Sequence, residues 1–332
     1  MSDREWKPSI PGGPEDPAEP AAERSRRTDE RPRTLRTGDR GESAAVAFDP
    51  ALKHFSEAYR PLDPQFSEPA ARTAWLSARR AAMDVALRAV GASGDADSLV
   101  LRGSVLMSQW FGEIAREPHD LDFVVVPADW MIEEDRTGRM LDAITAGAER
   151  LAPYGGLVMP ASEAVCEYIW TYERVPGRRL VLPWSAPGMR GGQVQLDFVF
   201  NEPLPVAPEP VVVAGVPILG ATPELSLAWK LVWLAGDMYP QGKDLYDAVL
   251  LAESCTLPYP LLAEVFRLSG EFEVGGGGQQ PPAPEVFEGF AQTDWATFHK
   301  EYPGIPGSAE SYADRLLKAL EPTFAGAPEG PA

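Results

Sequence analysis

Residues 99–126 read LVLRGSVLMSQWFGEIAREPHDLDFVVV, and they alternate between strand-like and helix-like patterns. The short apolar run at Leu99–Leu101 predicts a buried strand. Ser104 to Phe111 has the spacing of a short helix, with a good N-cap residue at its start and Gly112 at its end. The apolar run from Leu121 to Val126 predicts a second buried strand. This succession of strand, helix and strand indicates an α/β fold.

Elements of both kinds continue along the chain. The patterns predict helices over Ser67 to about Val90, Gly138 to Leu151, Thr222 to Gly236, about Leu245 to Ala252, Pro260 to Leu268 and Ser308 to Leu320. They predict a hairpin whose strands are Cys166–Tyr172 and Leu180–Leu182, with its turn at Val175–Arg178. They also predict a strand from Gln193 to Phe200 and a small hairpin of Val211–Val213 and Val216–Leu219. The fold class is therefore α/β (α+β), with a mixed sheet flanked by helices and a helical C-terminal region.

Four segments follow from composition and pattern. Residues 1–45 mix Pro, Gly, Glu and Arg with almost no large apolar residue, which predicts a disordered tail. Residues 46–219 are expected to form the core with a helical lead-in, and residues 220–324 a helical C-terminal domain. Residues 325–332 are expected to be a disordered end.

Composition excludes several classes of protein. The 332 residues include 49 acidic and 30 basic ones, a net charge of -19, and the first 45 hold 10 and 9 of these. The acid excess lies in the body of the chain, so a general DNA or RNA coat is excluded. Two Cys and three His, none clustered, exclude a disulfide scaffold, a zinc ribbon and a His-rich metal site. No membrane-length apolar run or signal segment is visible, which predicts a cytoplasmic protein.

Two features of the first strand–helix–strand segment could form a site. Gly103–Ser104 stands where the strand meets the helix, and backbone amides there can hold a phosphate, although the pair is equally an ordinary helix start. Asp120 and Asp122 place two carboxylates on one strand face. Their repulsion requires solvent or a cation, and Mg²⁺ takes one or two carboxylates plus phosphate oxygens. The alternatives are a magnesium site and a solvated strand end.

Further polar residues interrupt apolar segments downstream. Asp197 shares a strand face with Gln195, as a site residue or as the gatekeeper of an edge strand. Lys230 interrupts an apolar helix, as a site residue or as a lysine that snorkels to solvent. Lys243 and Asp247 are spaced i,i+4 on the next helix, where they could shape a site or pair with each other.

These residues resemble the signature of the DNA polymerase beta type of nucleotidyltransferase fold, which is Gly-Ser or Gly-Gly, then Asp-x-Asp, then a third acid on a neighbouring strand. The matching residues are Gly103-Ser104, Asp120-x-Asp122 and Asp197. The chain is also similar to the AbiEii/AbiGii toxin branch, in which a lysine-bearing helix precedes a Lys/Arg-Asp-x-x-Asp helix. The matching residues are Lys230 and Lys243-Asp-Leu-Tyr-Asp247, and the similarity spans about Leu99 to Glu253.

The resemblance implies a role for each residue. Asp120 and Asp122 would bind magnesium across a nucleoside triphosphate (NTP). Asp197 would complete a second metal position, or orient and deprotonate the acceptor hydroxyl. Gly103 and Ser104 would hold the terminal phosphates through backbone N–H groups, and the remaining residues would form the nucleotide pocket. In that pocket Lys230 would supply positive charge, with shape given by Asp247 and Lys243.

The resemblance also implies a reaction and partners. The reaction is magnesium-dependent transfer of a nucleoside monophosphate from an NTP to an acceptor hydroxyl, with the 3′ end of tRNA as acceptor and an antitoxin as partner. The acid excess keeps open a second enzyme, one with a small-molecule acceptor as in antibiotic nucleotidyltransferases. A third alternative is a catalytically silent binding protein built on the same core.

Overall fold

The computed structural model describes residues 32, 46–52, 55, 58–171, 175–237, 240–270, 273–274, 278–279 and 284–326. Nearly all of the predicted tail and most of the predicted C-terminal end lie outside these residues, as does Tyr172 of the predicted hairpin.

Strands and helices alternate through the first two thirds of the chain, and helices dominate the last third. The strands are β1 (Val46–Phe48), β2 (Tyr59–Pro61), β3 (Leu99–Arg102), β4 (Asp120–Val125), β5 (Val165–Thr171), β6 (Val175–Trp184), β7 (Gly192–Val199), β8 (Glu209–Val213), β9 (Val216–Gly220), β10 (Glu273–Val274) and β11 (Gly278–Gln279). The α-helices are α1 (Pro69–Gly91), α2 (Ser104–Phe111), α3 (Asp135–Leu151), α4 (Pro223–Gly236), α5 (Gly242–Ser254), α6 (Tyr259–Ser269), α7 (Trp295–Glu301) and α8 (Ala309–Ala325). Over the described ranges, no helix combines the length and apolarity that a bilayer crossing requires.

The chain divides into two compact units, and each is built from two separate segments. The first unit takes residues up to 94 together with 130–201, and the second takes 95–129 together with 202–332. The predicted boundary at 219/220 therefore falls inside the second unit, before the last residue of β9.

The first unit joins an antiparallel meander to a pair of helices. Strands β5, β6 and β7 pair in that order, each antiparallel to the next. Helix α3 buries Met140, Ile144 and Ala148, which recur every four residues along one face. This helix packs against α1, where a Cβ on Gly147 would lie 3.1 Å from the side chain of Ala89.

The second unit holds a mixed set of strands with helices. Strand β3 pairs antiparallel with β4 and parallel with β9, and β9 pairs antiparallel with β8. The β8–β9 turn is made by Ala214 and Gly215, which have φ values of 51° and 77° and so suit a two-residue hairpin turn. Helix α4 begins as predicted, with Thr222 accepting a hydrogen bond from the Leu225 N–H and proline in the first turn. The predicted mixed α/β architecture is confirmed.

One predicted turn is wrong. Val175–Arg178 forms the beginning of β6. The carbonyl of Pro176 accepts a hydrogen bond from the N–H of Phe200 at 3.0 Å. A Cβ on Gly177 would lie 2.9 Å from the carbonyl oxygen of Phe198 and 2.8 Å from Ile169. Glycine is needed here because the neighbouring strands approach closely, and the chain does not reverse at this point.

Candidate active site

The turn between β3 and α2 is built around glycine. Gly103 has φ 78° and ψ -148°, a backbone conformation that residues with a Cβ rarely adopt. A Cβ on Gly103 would collide with Oδ2 of Asp122. The structure therefore places the Asp122 carboxylate directly against this turn.

Ser104 has a different role from the predicted helix cap. The N-cap residue of α2 is Gly103, which offers no side chain, and Ser104 is the first helical residue. The buried hydroxyl of Ser104 lies 3.1 Å from Oδ1 of Asp120 and donates a hydrogen bond to it. The expectation of a serine cap was wrong, and the serine instead contacts the first carboxylate of the Asp-x-Asp pair.

Strand β4 presents Asp120 and Asp122 on one face, as the alternation predicted. Both are partly exposed, whereas Leu121 and Phe123 on the opposite face are buried in the core. Arg102 on β3 is the register partner of Asp122 and therefore shares its face. The two acidic side chains and a buried arginine thus lie on the same side of these strands.

Arg102 is held by an ion pair and by aromatic rings. Its Nη1 lies 2.7 Å from Oε2 of Glu202. Its guanidinium carbon lies 5.1 Å from the ring centroid of Trp229 and 5.3 Å from that of Trp233, both on α4. These contacts fix a positive charge beside the Asp122 strand position.

Helices α4 and α5 are joined through Lys230, which is only 5% exposed. Its Nζ lies 2.6 Å from Oδ1 of Asp244 and 3.2 Å from Oδ2 of Asp247. The snorkelling alternative is excluded, because the ammonium group is buried and paired. Asp247 is bound by Lys230 and Arg116, so a simple i,i+4 pair with Lys243 does not account for its position.

Arg116 is a buried partner of Asp247 that the sequence analysis did not identify. Its guanidinium binds Asp247 with two parallel contacts, Nε to Oδ1 at 3.0 Å and Nη2 to Oδ2 at 2.9 Å. Its Nη1 donates to the hydroxyl of Tyr302 at 3.1 Å. The residue stands in a loop, 131 positions before its partner, and neither periodicity nor local spacing marks such a pair.

The charges in this cluster are strongly coupled. Burial acts to raise the pKa of the Asp247 carboxyl, but the attraction of Arg116 and Lys230 outweighs it and holds the pKa below its ordinary value. Burial acts to lower the pKa of Arg116, yet Asp247, Tyr302 and Asp120 together hold it well above its ordinary value. Asp247 is therefore an anion and Arg116 a cation across the physiological range.

Asp197 lies in the first unit, in different surroundings. It is 7% exposed, and its two carboxylate oxygens accept from Nε and Nη2 of Arg179 at 2.9 and 2.8 Å. Gln195 donates to the same carboxylate at 3.1 Å, which confirms that the two side chains share a strand face. Nη1 of Arg179 lies 2.6 Å from Asp49, so this arginine bridges two aspartates.

The oxygen-rich face of β4 fits a magnesium ion. Mg²⁺ accepts one or two carboxylates and fills its remaining positions with water and phosphate oxygens. Asp120 and Asp122 offer two carboxylates on one partly exposed face beside a helix N-terminus. Among the residues that the structure describes, no group of three or more His, Cys, Asp or Glu is placed to hold a metal. The fit therefore depends on the Asp120–Asp122 pair and on ligands brought by a substrate.

Comparison with known proteins places this geometry in context. The family model described as "Nucleotidyl transferase AbiEii toxin, Type IV TA system" matches residues 85–319, a range that contains all the predicted site residues. No curated protein matches the chain. A nucleotidyltransferase candidate from H. pylori is 13% identical, with 76% of this chain and 95% of that one covered and a TM-score of 0.43. An antigenic nucleotidyltransferase-like protein from Paracoccidioides brasiliensis is 14% identical, with coverages of 71% and 93% and a TM-score of 0.33.

Proposed function

The chain belongs to the AbiEii family of nucleotidyltransferase toxins from type IV toxin–antitoxin systems, and we propose that it transfers a nucleoside monophosphate from an NTP at the Asp120–Asp122 face of β4. Membership of the family implies an NTP substrate and an antitoxin partner. The observation that supports the location is the placement of both carboxylates against the Gly103–Ser104 turn.

The proposed reaction places specific demands on the protein. The acceptor hydroxyl loses its proton to a base, the role proposed for Asp197, and its oxygen forms a bond to the α-phosphorus. The bond from that phosphorus to the bridging oxygen breaks, and pyrophosphate leaves with its electron pair. The protein has to align the two oxygens and offset the charge that develops between them. Magnesium held by Asp120 and Asp122 would neutralise triphosphate charge and polarise the phosphoryl group.

The turn and helix α2 would bind the phosphates. The first N–H groups of a helix have no intrahelical partner, and they point towards any anion at its N-terminus. Gly103 lets the backbone approach because it carries no Cβ. The Ser104 hydroxyl would orient the Asp120 carboxylate through the hydrogen bond described above, while its backbone N–H would bind phosphate.

The roles proposed for Lys230, Lys243 and Asp247 at the nucleotide stay predictions. Lys230 already binds two carboxylates, so a triphosphate would share its ammonium group with Asp244 and Asp247. These contacts support a role in holding α4 against α5.

Asp197 also keeps its predicted role as a second metal ligand or as the base for the acceptor hydroxyl. Both of its oxygens accept from Arg179, so it would have to share or leave this pair in order to act.

The acceptor that we propose is the 3′ end of tRNA, and the support for it is the resemblance to the AbiEii/AbiGii branch. A second candidate, a small-molecule hydroxyl, is favoured by the net charge of -19, because binding of long nucleic acids depends on basic groups that neutralise phosphates.

The test is a label-transfer assay. The protein is incubated with magnesium and each α-labelled NTP in turn, with either total tRNA or a set of aminoglycosides as acceptor. Label in tRNA is the expected result, and label only in the aminoglycosides supports the second candidate. Transfer to neither, together with no magnesium-dependent NTP binding in calorimetry, would show a catalytically silent binding protein.

A further inference from the structure

The segment from Gly112 to His119 joins α2 to β4 and leads directly into Asp120. It contains one 3-10 turn at Gly112–Ile114, closed by the Ala115 N–H donating to the Gly112 carbonyl at 3.1 Å. The remaining residues belong to no helix or strand. Contacts from other elements therefore add to the β3–β4 pairing and to the Ser104 hydrogen bond in fixing the point at which Asp120 enters β4.

Helix α5 and the end of α7 supply such contacts. The hydroxyl of Tyr246 on α5 donates to the carbonyl of Ile114. Asp247, the next residue of α5, holds Arg116 through the paired contacts described above. The ring of His119 stacks on Tyr302 with centroids 5.3 Å apart. The loop is thus attached at residue 114, at residue 116 and at residue 119.

Arg116 is the central attachment. It is 6% exposed, Asp247 is 0% exposed, and Tyr302 is buried as well, so the guanidinium is enclosed together with both of its partners. The guanidinium is held by Asp247 and Tyr302, and Asp120, the first acid of the Asp-x-Asp pair, follows Arg116 by four residues. The negative charge of Asp120 adds to those of Asp247 and Tyr302 in holding the pKa of Arg116 above its ordinary value despite burial.

We propose that Arg116 is a positioning residue for Asp120, held in place by Asp247 and Tyr302. The Lys243–Asp247 segment then acts on the reaction through this loop and need not contact the nucleotide. This inference rests on the proposed function only in requiring that Asp120 takes part in transfer.

Arg116→Lys is the most informative variant, because it keeps the positive charge and removes the planar guanidinium group that contacts both Asp247 and Tyr302. For Arg116→Lys we expect kcat to fall by about 10- to 100-fold, since a displacement near 1 Å costs roughly that much, while KM for the NTP stays within about threefold. Tyr302→Phe removes one hydrogen bond and should lower kcat about threefold. The control is Arg315→Lys on α8, whose pair with Glu253 is exposed and which should behave as wild type.

Hydrogen exchange provides a readout apart from turnover. In Arg116→Lys and in Tyr302→Phe the amides of residues 115–117, 119 and 120 should exchange faster, while those of residues 121–125 stay unchanged. The proposal would be overturned if folded Arg116→Lys kept the wild-type kcat. It would also be overturned if the loss of kcat matched the fraction of the variant that is unfolded. Should Arg116→Lys fail to fold, wild-type kcat and exchange in Tyr302→Phe overturn it instead.

The proposed function is tested separately with Asp122→Asn. An active Asp122→Asn protein contradicts the proposed function itself. An inactive Asp122→Asn protein beside a fully active Arg116→Lys protein contradicts only the positioning role.

Discussion

In the second unit Asp120 and Asp122 are partly exposed and lie beside the Gly103–Ser104 turn. In the first unit, by contrast, Asp197 is buried and both of its carboxylate oxygens accept hydrogen bonds from Arg179. All three were assigned to one site from a single signature. The difference shows that strand alternation predicts the face on which a side chain lies. It does not predict the partner that the side chain meets there, which for Asp197 is Arg179, its cross-strand neighbour on β6.

Removal of an exposed carboxylate should have the largest effect on activity. Asp122→Asn is expected to lower transfer by about three orders of magnitude, because a metal ligand worth several kcal/mol is lost. Stability should stay equal or rise slightly, since one of two repelling carboxylates is removed. The label-transfer assay and thermal unfolding measure the two effects, and wild-type transfer would contradict the assignment.

Removal of the cation in the first unit should mainly lower stability. Arg179→Met leaves Asp197 and Asp49 buried without their shared partner, so we expect a loss of about 3–5 kcal/mol in the free energy of unfolding. Arg178→Met is the matched control. The neighbouring Arg178 contacts the Cys166 thiol and the Tyr168 ring, neither of which is a carboxylate. That control should lose less than about 1 kcal/mol. If urea denaturation gives equal losses in unfolding free energy for Arg179→Met and Arg178→Met, the Asp197–Arg179 ion pair does not make the expected contribution to stability.

The glycine turn provides a smaller effect. Gly103→Ala adds a Cβ at φ 78° and against the Asp122 carboxylate, which should cost about 1–3 kcal/mol and reduce transfer. Gly138→Ala is the control, because this helical glycine has open space around it and should gain about 0.5–1 kcal/mol. Urea denaturation measures both changes, and the account fails here if the two alanines have the same sign.

Acid should reveal the smallest effect. The folded pKa of Asp247 is lowered, so the unfolded chain takes up its proton first as the pH falls. The stabilisation from Asp247 is thus complete above the unfolded pKa of about 4 and is lost as the pH falls through the folded pKa. In that range the unfolding free energy should fall by at most about 1.4 kcal/mol per pH unit. Asp247→Asn should flatten the dependence of the unfolding free energy on pH below about 4. An unchanged slope would contradict this assignment.

The sequence predicted local structure well where the residues of a single segment determine whether it forms a strand or a helix. Strand β3, helix α2 and the Thr222 cap of α4 lie where the patterns placed them. The prediction was wrong at Val175–Arg178, because Pro-Gly occurs both in turns and in strands that pack tightly. Only the approach of Phe198 and Ile169 distinguishes the two, and these residues belong to other strands.

The same limit applies to the candidate site. Gly103 and Asp122 could be placed together from sequence because both lie within one strand–helix–strand unit. Arg116 could not be found, since its partners Asp247 and Tyr302 come from distant helical segments and an ion pair has no period. Lys230 was recognised as unusual, but its partners were not. Buried charge pairs are decided by tertiary packing, which local spacing does not encode.

The most direct test of the Asp120–Asp122 site is a crystal structure of the full chain with Mg²⁺ and an NTP analogue that cannot be cleaved between its α- and β-phosphates. The expected result is a metal ion in contact with the carboxylates of Asp120 and Asp122, and phosphate oxygens on the first N–H groups of α2. A nucleotide bound elsewhere, or a metal ion that touches neither aspartate, would contradict the account.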